Sequence, residues 1–124
     1  MARSGLEEAI EKDYKERGLD VTYEETILKT LVPWNYKPDY FLRTKSGKYI
    51  VIEAKGDLRY FTTEYRKKWL AMYRQYSGKY DIRIIFQHDK KLPHSKHMTT
   101  VGWAEKHGIT YHVGEEIPES WSNE

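Results

Sequence analysis

The residues of this chain best suited to chemistry are Asp39, Glu53 and Lys55. They stand in Pro38-Asp39, a spacer of thirteen residues, and Glu53-Ala54-Lys55-Gly56. Asp39 leads into a short apolar run, Tyr40-Phe41-Leu42. Lys45-Ser46-Gly47-Lys48 has turn composition, and Tyr49 to Ala54 is rich in β-branched and aromatic residues. This pattern predicts a β-hairpin. In an antiparallel hairpin the start of the first strand lies beside the end of the second, which makes Asp39 and Glu53 neighbours. Glu53 and Lys55 are two apart and share one face of their strand. Two carboxylates side by side repel unless a cation lies between them, and hard oxygen ligands suit magnesium, which also binds phosphate oxygens. A lysine on the same face can hold or deprotonate an attacking water. The chemistry implied is metal-assisted phosphodiester hydrolysis. The plainer alternative is a hairpin whose terminal charges are solvated and pair with each other. The order Pro-Asp, spacer, Glu-x-Lys after an apolar strand favours the metal site.

The remaining elements must hold this hairpin. Ser4-Gly5-Leu6-Glu7 has the capping-box pattern, with Leu6, Ala9, Ile10 and Tyr14 at helical spacing and Gly18 as a stop, which predicts a helix from Gly5 to Arg17. By spacing alone Glu7 caps that helix; it faces a metal only if this first turn packs on the hairpin. Val21 to Glu25 and Ile27 to Val32 read as strands. Pro33 and Pro38 bracket Trp34-Asn35-Tyr36-Lys37 as an extended connection, long enough to cross to another subunit. Asp57 to Phe61 reads as a loop. Thr62 or Thr63 caps a helix to Tyr76, with Tyr65, Trp69, Met72, Tyr73 and Tyr76 on an inner face and Arg66, Lys67, Lys68 and Arg74 on the outer one. Asp81 to Phe86 is a central strand. Gln87 to Met98 is a polar loop carrying Lys90, Lys91, His94 and His97, and its His-x-x-His lacks the helix and third ligand of a metal site. A short helix from Thr99 or Thr100 to His107, a strand from Ile109 to Val113, and an acidic tail docked by Trp121 complete a single domain over residues 1–124. The order implies a mixed α/β sheet flanked by helices.

Net charge is only +2 but is unevenly spread: residues 1–25 carry −4, residues 55–91 carry +6, and the last 21 residues carry −4. A basic middle beside an acid–lysine cluster suits a polyanionic partner. The absence of Cys excludes disulfides and thiolate zinc sites. No apolar run approaches membrane-spanning length and no signal-peptide core is present, so a soluble, cytoplasmic protein without a membrane partner is expected. The pattern also lacks a phosphate-cradling glycine loop, a nucleophile elbow and a zinc finger.

Pro-Asp, spacer, Glu-x-Lys resembles the PD-(D/E)XK motif of restriction-endonuclease-like nucleases. More specifically, the chain resembles the phage endonuclease I family, the Holliday-junction-resolving endodeoxyribonucleases of T-odd coliphages. The matching stretches are Arg3-Ser4-Gly5-Leu6-Glu7, Tyr23-Glu24-Glu25, Tyr36-Lys37-Pro38-Asp39-Tyr40, Glu53-Ala54-Lys55-Gly56, Arg66-Lys67-Lys68, Asp81-Ile82-Arg83-Ile84-Ile85-Phe86, Glu105-Lys106-His107-Gly108-Ile109, and Ile117-Pro118 followed by Trp121. Compared with the family, the chain starts near Arg3 without a longer basic arm, ends soon after Trp121 without a basic tail, and has a longer segment between Gly56 and Arg66.

The resemblance implies a restriction-endonuclease-like fold and an intertwined homodimer that exchanges its N-terminal part. It implies a Mg²⁺-dependent endonuclease acting on branched DNA, with Mn²⁺ able to substitute, working in the bacterial host cell if phage-encoded. The catalytic residues carry over onto Glu7, Asp39, Glu53 and Lys55, with Asp39, Glu53 and the Ala54 carbonyl binding metal and Glu7 completing the site. Expected DNA contacts are Arg3, Ser4, Arg66, Lys67, Lys68, Lys90 and Lys91. Two alternatives stand beside this: a related nuclease with a sequence-specific or homing-type target, and a protein that binds branched DNA without cutting it.

Overall fold

A computed structural model describes residues 4–24, 28–29 and 35–124. In chain order the elements are α1 (Gly5–Glu16), β1 (Asp20–Tyr23), β2 (Leu28–Lys29), β3 (Asn35–Tyr36), β4 (Tyr40–Arg43), β5 (Tyr49–Lys55), α2 (Thr63–Tyr76), β6 (Asp81–Phe86), α3 (Thr100–Lys106), β7 (Tyr111–Val113) and α4 (Glu119–Ser122). Arg3, Trp34 and most of the strand expected from Ile27 to Val32 lie outside the described residues. Among the described residues, no helix is long and apolar enough to cross a membrane.

Five strands form one mixed sheet in the order β1-β4-β5-β6-β7, while β2 and β3 pair separately. The β4–β5 hairpin is antiparallel, as its sequence implied, with Tyr40 opposite Ile52. Its turn relies on Gly47 at φ +88°, a conformation that costs a glycine little. β5, β6 and β7 run parallel, and α2 and α3 supply the two crossovers that parallel pairing requires.

Side-chain alternation along β5 sorts the core into two layers. Ile50, Ile52 and Ala54 face α1 and the C-terminal segment, packing with Leu6, Ile10, Tyr14, Tyr40 and Trp121. Val51 faces the other way, toward Trp69, Met72, Phe61 and Trp103 of the α2–α3 layer. Glu53 and Lys55 follow Val51 at intervals of two and so project on the α2 side. Fully buried aromatic and aliphatic side chains such as Trp69, Phe61 and Ile84 each contribute about 1.5–3 kcal/mol by leaving water.

The helices begin where the sequence placed them. Ser4 and Glu7 form both halves of the capping box of α1, and the Thr62 hydroxyl accepts from the Tyr65 N–H at the start of α2. Trp121 does dock the acidic tail, but the tail also forms α4. The segment before Asp39 is more than a connection: Asn35–Tyr36 pairs with Leu28–Lys29, and Tyr36 is buried in the α2–α3 layer.

Candidate active site

The hairpin register that sets Tyr40 opposite Ile52 brings Asp39 beside the end of β5. The Ala54 N–H donates to Asp39 Oδ2 at 2.8 Å. The Asp39 carboxyl also lies within hydrogen-bonding reach of Glu53. Burial first, then the Glu53 charge and this contact, push Asp39 up to about 10; the Ala54 N–H opposes the rise. Lys55 Nζ lies 3.5 Å from Glu53 Oε2. Thus Asp39, Glu53 and Lys55 meet as the sequence required.

Lys55 has a second set of neighbours. Its ammonium sits 4.4 Å from the centre of the Tyr65 ring and 5.8 Å from that of Phe61, and it hydrogen-bonds the Tyr65 side chain. Burial acts to lower the Lys55 pKa, but the Glu53 charge and Tyr65 outweigh it, and the net shift is upward. Lys55 is therefore a cation at neutral pH in this arrangement, which favours charge stabilisation over proton abstraction.

Glu53 is 4% exposed, and its Oε1 points into the protein. It accepts a short hydrogen bond from the Tyr36 hydroxyl and another, at 3.2 Å, from Trp69 Nε1. Burial and the Glu53 charge raise the Tyr36 pKa, keeping its phenol a donor. Tyr65 and Trp69 were legible only as core aromatics and Tyr36 only as part of a connection, because their acidic and basic partners lie in other elements.

Glu7 sits apart from this cluster. Its carboxylate completes the α1 capping box and accepts from the Tyr23 hydroxyl at 2.8 Å. The backbone still brings α1 close: the Tyr40 hydroxyl donates to the Glu7 carbonyl at 3.3 Å, and a Cβ on Gly56 would come within 3.0 Å of Leu6 Cβ. Glu7 acts on Asp39 through its charge, as the weakest of the causes that raise it. Among the described residues, no three His, Cys, Asp or Glu side chains are grouped to hold a metal ion. The oxygen donors at the hairpin end are Asp39, Glu53 and the backbone of Ala54.

The expected DNA-contacting residues divide. Lys67 and Lys68 are exposed on α2, and Lys90 and Lys91 are exposed on the loop after β6. Lys90 and Lys91 line a cleft of about 550 Å³ with Gly56, Asp57, Arg59 and His94, opening one residue beyond Lys55. Arg59 was not among the expected DNA contacts, and His94 was weighed in the sequence only as part of a His-x-x-His metal pattern. Ser4 is the N-cap of α1, its hydroxyl accepting from the Glu7 N–H at 3.1 Å. Arg66 departs most from expectation. It lies three residues before Trp69 and so turns inward, 8% exposed. Its guanidinium donates to the Phe61 carbonyl, to Thr63 Oγ1 at 3.2 Å and to the Pro93 carbonyl at 3.3 Å. It joins α2 to the loop above it and does not lie on the outer basic face.

The sequence as a whole matches the model of one family, phage endonuclease I, over residues 1–124. The chain belongs to the phage endonuclease I family. It is 32% identical to endonuclease I of Escherichia phage T7 over 126 residues, covering 98% of this chain and 78% of that protein. It is 33% identical to endodeoxyribonuclease 1 of Enterobacteria phage T3 over 113 residues, covering 88% of this chain and 69% of that protein. Membership in this endonuclease family gives the Asp39–Glu53–Lys55 cluster a context that a solvated hairpin end does not have.

Proposed function

We propose that this chain is a Mg²⁺-dependent endonuclease that hydrolyses phosphodiesters in branched DNA, four-way junctions above all, and leaves 5′-phosphates. The observation that carries the proposal is the half-buried Asp39 carboxyl set against the buried Glu53, whose charge raises the Asp39 pKa, with the Lys55 ammonium 3.5 Å from Glu53. A hard divalent cation relieves that repulsion, and two carboxylates with a backbone carbonyl are the donors it prefers. Asp39, Glu53 and the Ala54 carbonyl would hold Mg²⁺ or Mn²⁺; Glu7 would complete the site from α1. When bound, the ion polarises a phosphoryl oxygen and makes its water more acidic.

The chain's own residues do the rest. Lys55, held as a cation, positions the attacking water and stabilises the negative charge that builds on the phosphorus oxygens. Lys67, Lys68, Lys90 and Lys91 contact backbone phosphates, which fixes DNA in place without reading its sequence. The DNA substrate is supported by the names of the relatives, which are an endonuclease and an endodeoxyribonuclease. The functional unit is a homodimer exchanging its N-terminal part, since two sites related by a two-fold axis suit paired cuts in opposed strands. It would act in the cytoplasm of an infected bacterium.

The test is cleavage of an end-labelled immobile four-way junction beside a linear duplex of the same sequence, in Mg²⁺ and in Ca²⁺. The junction is expected to be cut in Mg²⁺, the duplex far more slowly, and neither in Ca²⁺. Binding without any cutting in Mg²⁺ or Mn²⁺ would leave a junction-binding protein, and equal cutting of both DNAs would remove the structure selectivity.

A further inference from the structure

Glu53 has two carboxylate oxygens in unlike surroundings. Oε1 accepts from the Tyr36 hydroxyl and from Trp69 Nε1 at 3.2 Å, and the same indole N–H lies 3.2 Å from the Tyr36 oxygen. Oε2 faces Lys55 at 3.5 Å. Both donors are fixed by the core. Tyr36 is 2% exposed and Trp69 is fully buried, its ring stacked on Tyr73 with centroids 5.5 Å apart and 15° between planes, and tilted against Trp103 at 5.8 Å. A carboxylate rotates freely about its last bond unless something holds it, since that torsion has only broad wells. Here three elements hold it: β5 carries the acid, β3 one donor and α2 the other.

Packing alone does not require this chemistry. A phenylalanine at position 36 would fill almost the same volume without donating. The polar atoms of Tyr36 and Trp69 converge on one oxygen of a single acid. We infer that Tyr36 and Trp69 are positioning residues for the reaction: they fix Glu53 Oε1 in the core so that Oε2 alone is presented to Asp39 and Lys55. The inference rests on the proposed nuclease reading for its consequence, although the triangle of contacts stands without it. Partners that orient a ligating carboxylate commonly change metal affinity or turnover when removed.

The decisive variant is Tyr36→Phe, which deletes one oxygen and keeps the ring; Trp69→Phe removes the second donor at the cost of a cavity. Four quantities are read on wild type and variants: the single-turnover cutting rate on a four-way junction at saturating Mg²⁺, junction affinity in Ca²⁺, Mn²⁺ affinity of the protein alone by calorimetry, and the melting temperature. Tyr36→Phe is expected to lower the cutting rate and Mn²⁺ affinity by about 10–100-fold each, with junction affinity unchanged. A fall in melting temperature alone, with wild-type rate and Mn²⁺ affinity, would overturn the inference and leave Tyr36 a packing residue. If the wild-type protein cuts no DNA, the nuclease reading fails, and the Mn²⁺ titration still decides whether Tyr36 positions Glu53.

Discussion

Arg66 separates what a basic helix face suggests from what the fold does with it. Replacing it with methionine keeps an apolar stem of similar length and removes the guanidinium. The carbonyls of Phe61 and Pro93 then lose their charged donor, and Thr63 Oγ1 loses a neighbour. A buried acceptor left unsatisfied costs about 1–3 kcal/mol, so the two carbonyls together cost about 2–4 kcal/mol after partial access of water. For 124 residues the unfolding entropy makes 1 kcal/mol equal to about 4 °C in melting temperature. Arg66→Met is therefore expected to melt about 8–15 °C below wild type. Junction affinity, measured well below that temperature, should keep its salt dependence, because Arg66 is 8% exposed and already committed to the fold. The double variant Lys67→Gln/Lys68→Gln should behave in the opposite way. Its stability should stay within about 0.5 kcal/mol. Its slope of log affinity against log salt should flatten by about 2. Melting in guanidinium and fluorescence-anisotropy titrations over a salt series measure both. An Arg66→Met protein as stable as wild type but with a flattened salt slope would refute the reasoning and return Arg66 to the DNA face.

Glu124, bonded to Arg83 and Lys48, has a pKa lowered to about 2, chiefly by the Arg83 hydrogen bonds against a smaller opposing effect of burial. A lowered carboxylate stabilises the fold above its unfolded pKa near 4.3 and loses that contribution as pH falls toward about 2. With the side chain 34% exposed and screened, Glu124→Gln should lower stability by only about 1 kcal/mol at pH 6, a difference that disappears by pH 2 in thermal melts. Ser4→Ala removes the hydroxyl that caps α1 and should cost about 1 kcal/mol in guanidinium melts without altering the salt slope of DNA binding; a flattened slope would make Ser4 a phosphate contact. If the N-terminal parts exchange, a heterodimer of Glu7→Ala with Lys55→Ala has one site bearing both lesions and one intact, and should give single nicks but few paired cuts. An inert heterodimer beside an active wild type would count against shared sites.

The hairpin was legible because its signals are local: a turn at Gly47, an apolar strand on either side, and a register that follows from them. Once the register is set, Asp39 has to meet Glu53, and period-two alternation has to put Lys55 with it. The capping box at Ser4 and Glu7 was equally local, and its physical reading held in the folded chain. What escaped the sequence depends on partners far along it. Tyr36 stands between prolines and reads as a connection; its burial follows from Glu53 and Trp69, 17 and 33 residues away. Arg66 has the residue type of an outer face but the helical phase of Trp69, and its Pro93 partner lies 27 residues on. The short helix α4 follows Pro118 in an acidic segment too brief for periodicity to register.

The assignment of Asp39 and Glu53 as the chemical centre is tested most directly by Asp39→Asn on a four-way junction. Asparagine can still accept from the Ala54 N–H and can donate to Glu53, so it preserves the fold while removing one of the two anionic groups that would attract a cation. At saturating Mg²⁺ the single-turnover cutting rate is expected to fall about 10³-fold, equivalent to roughly 4 kcal/mol of lost transition-state stabilisation, with junction affinity in Ca²⁺ unchanged. Cutting within a few-fold of wild type would contradict the site.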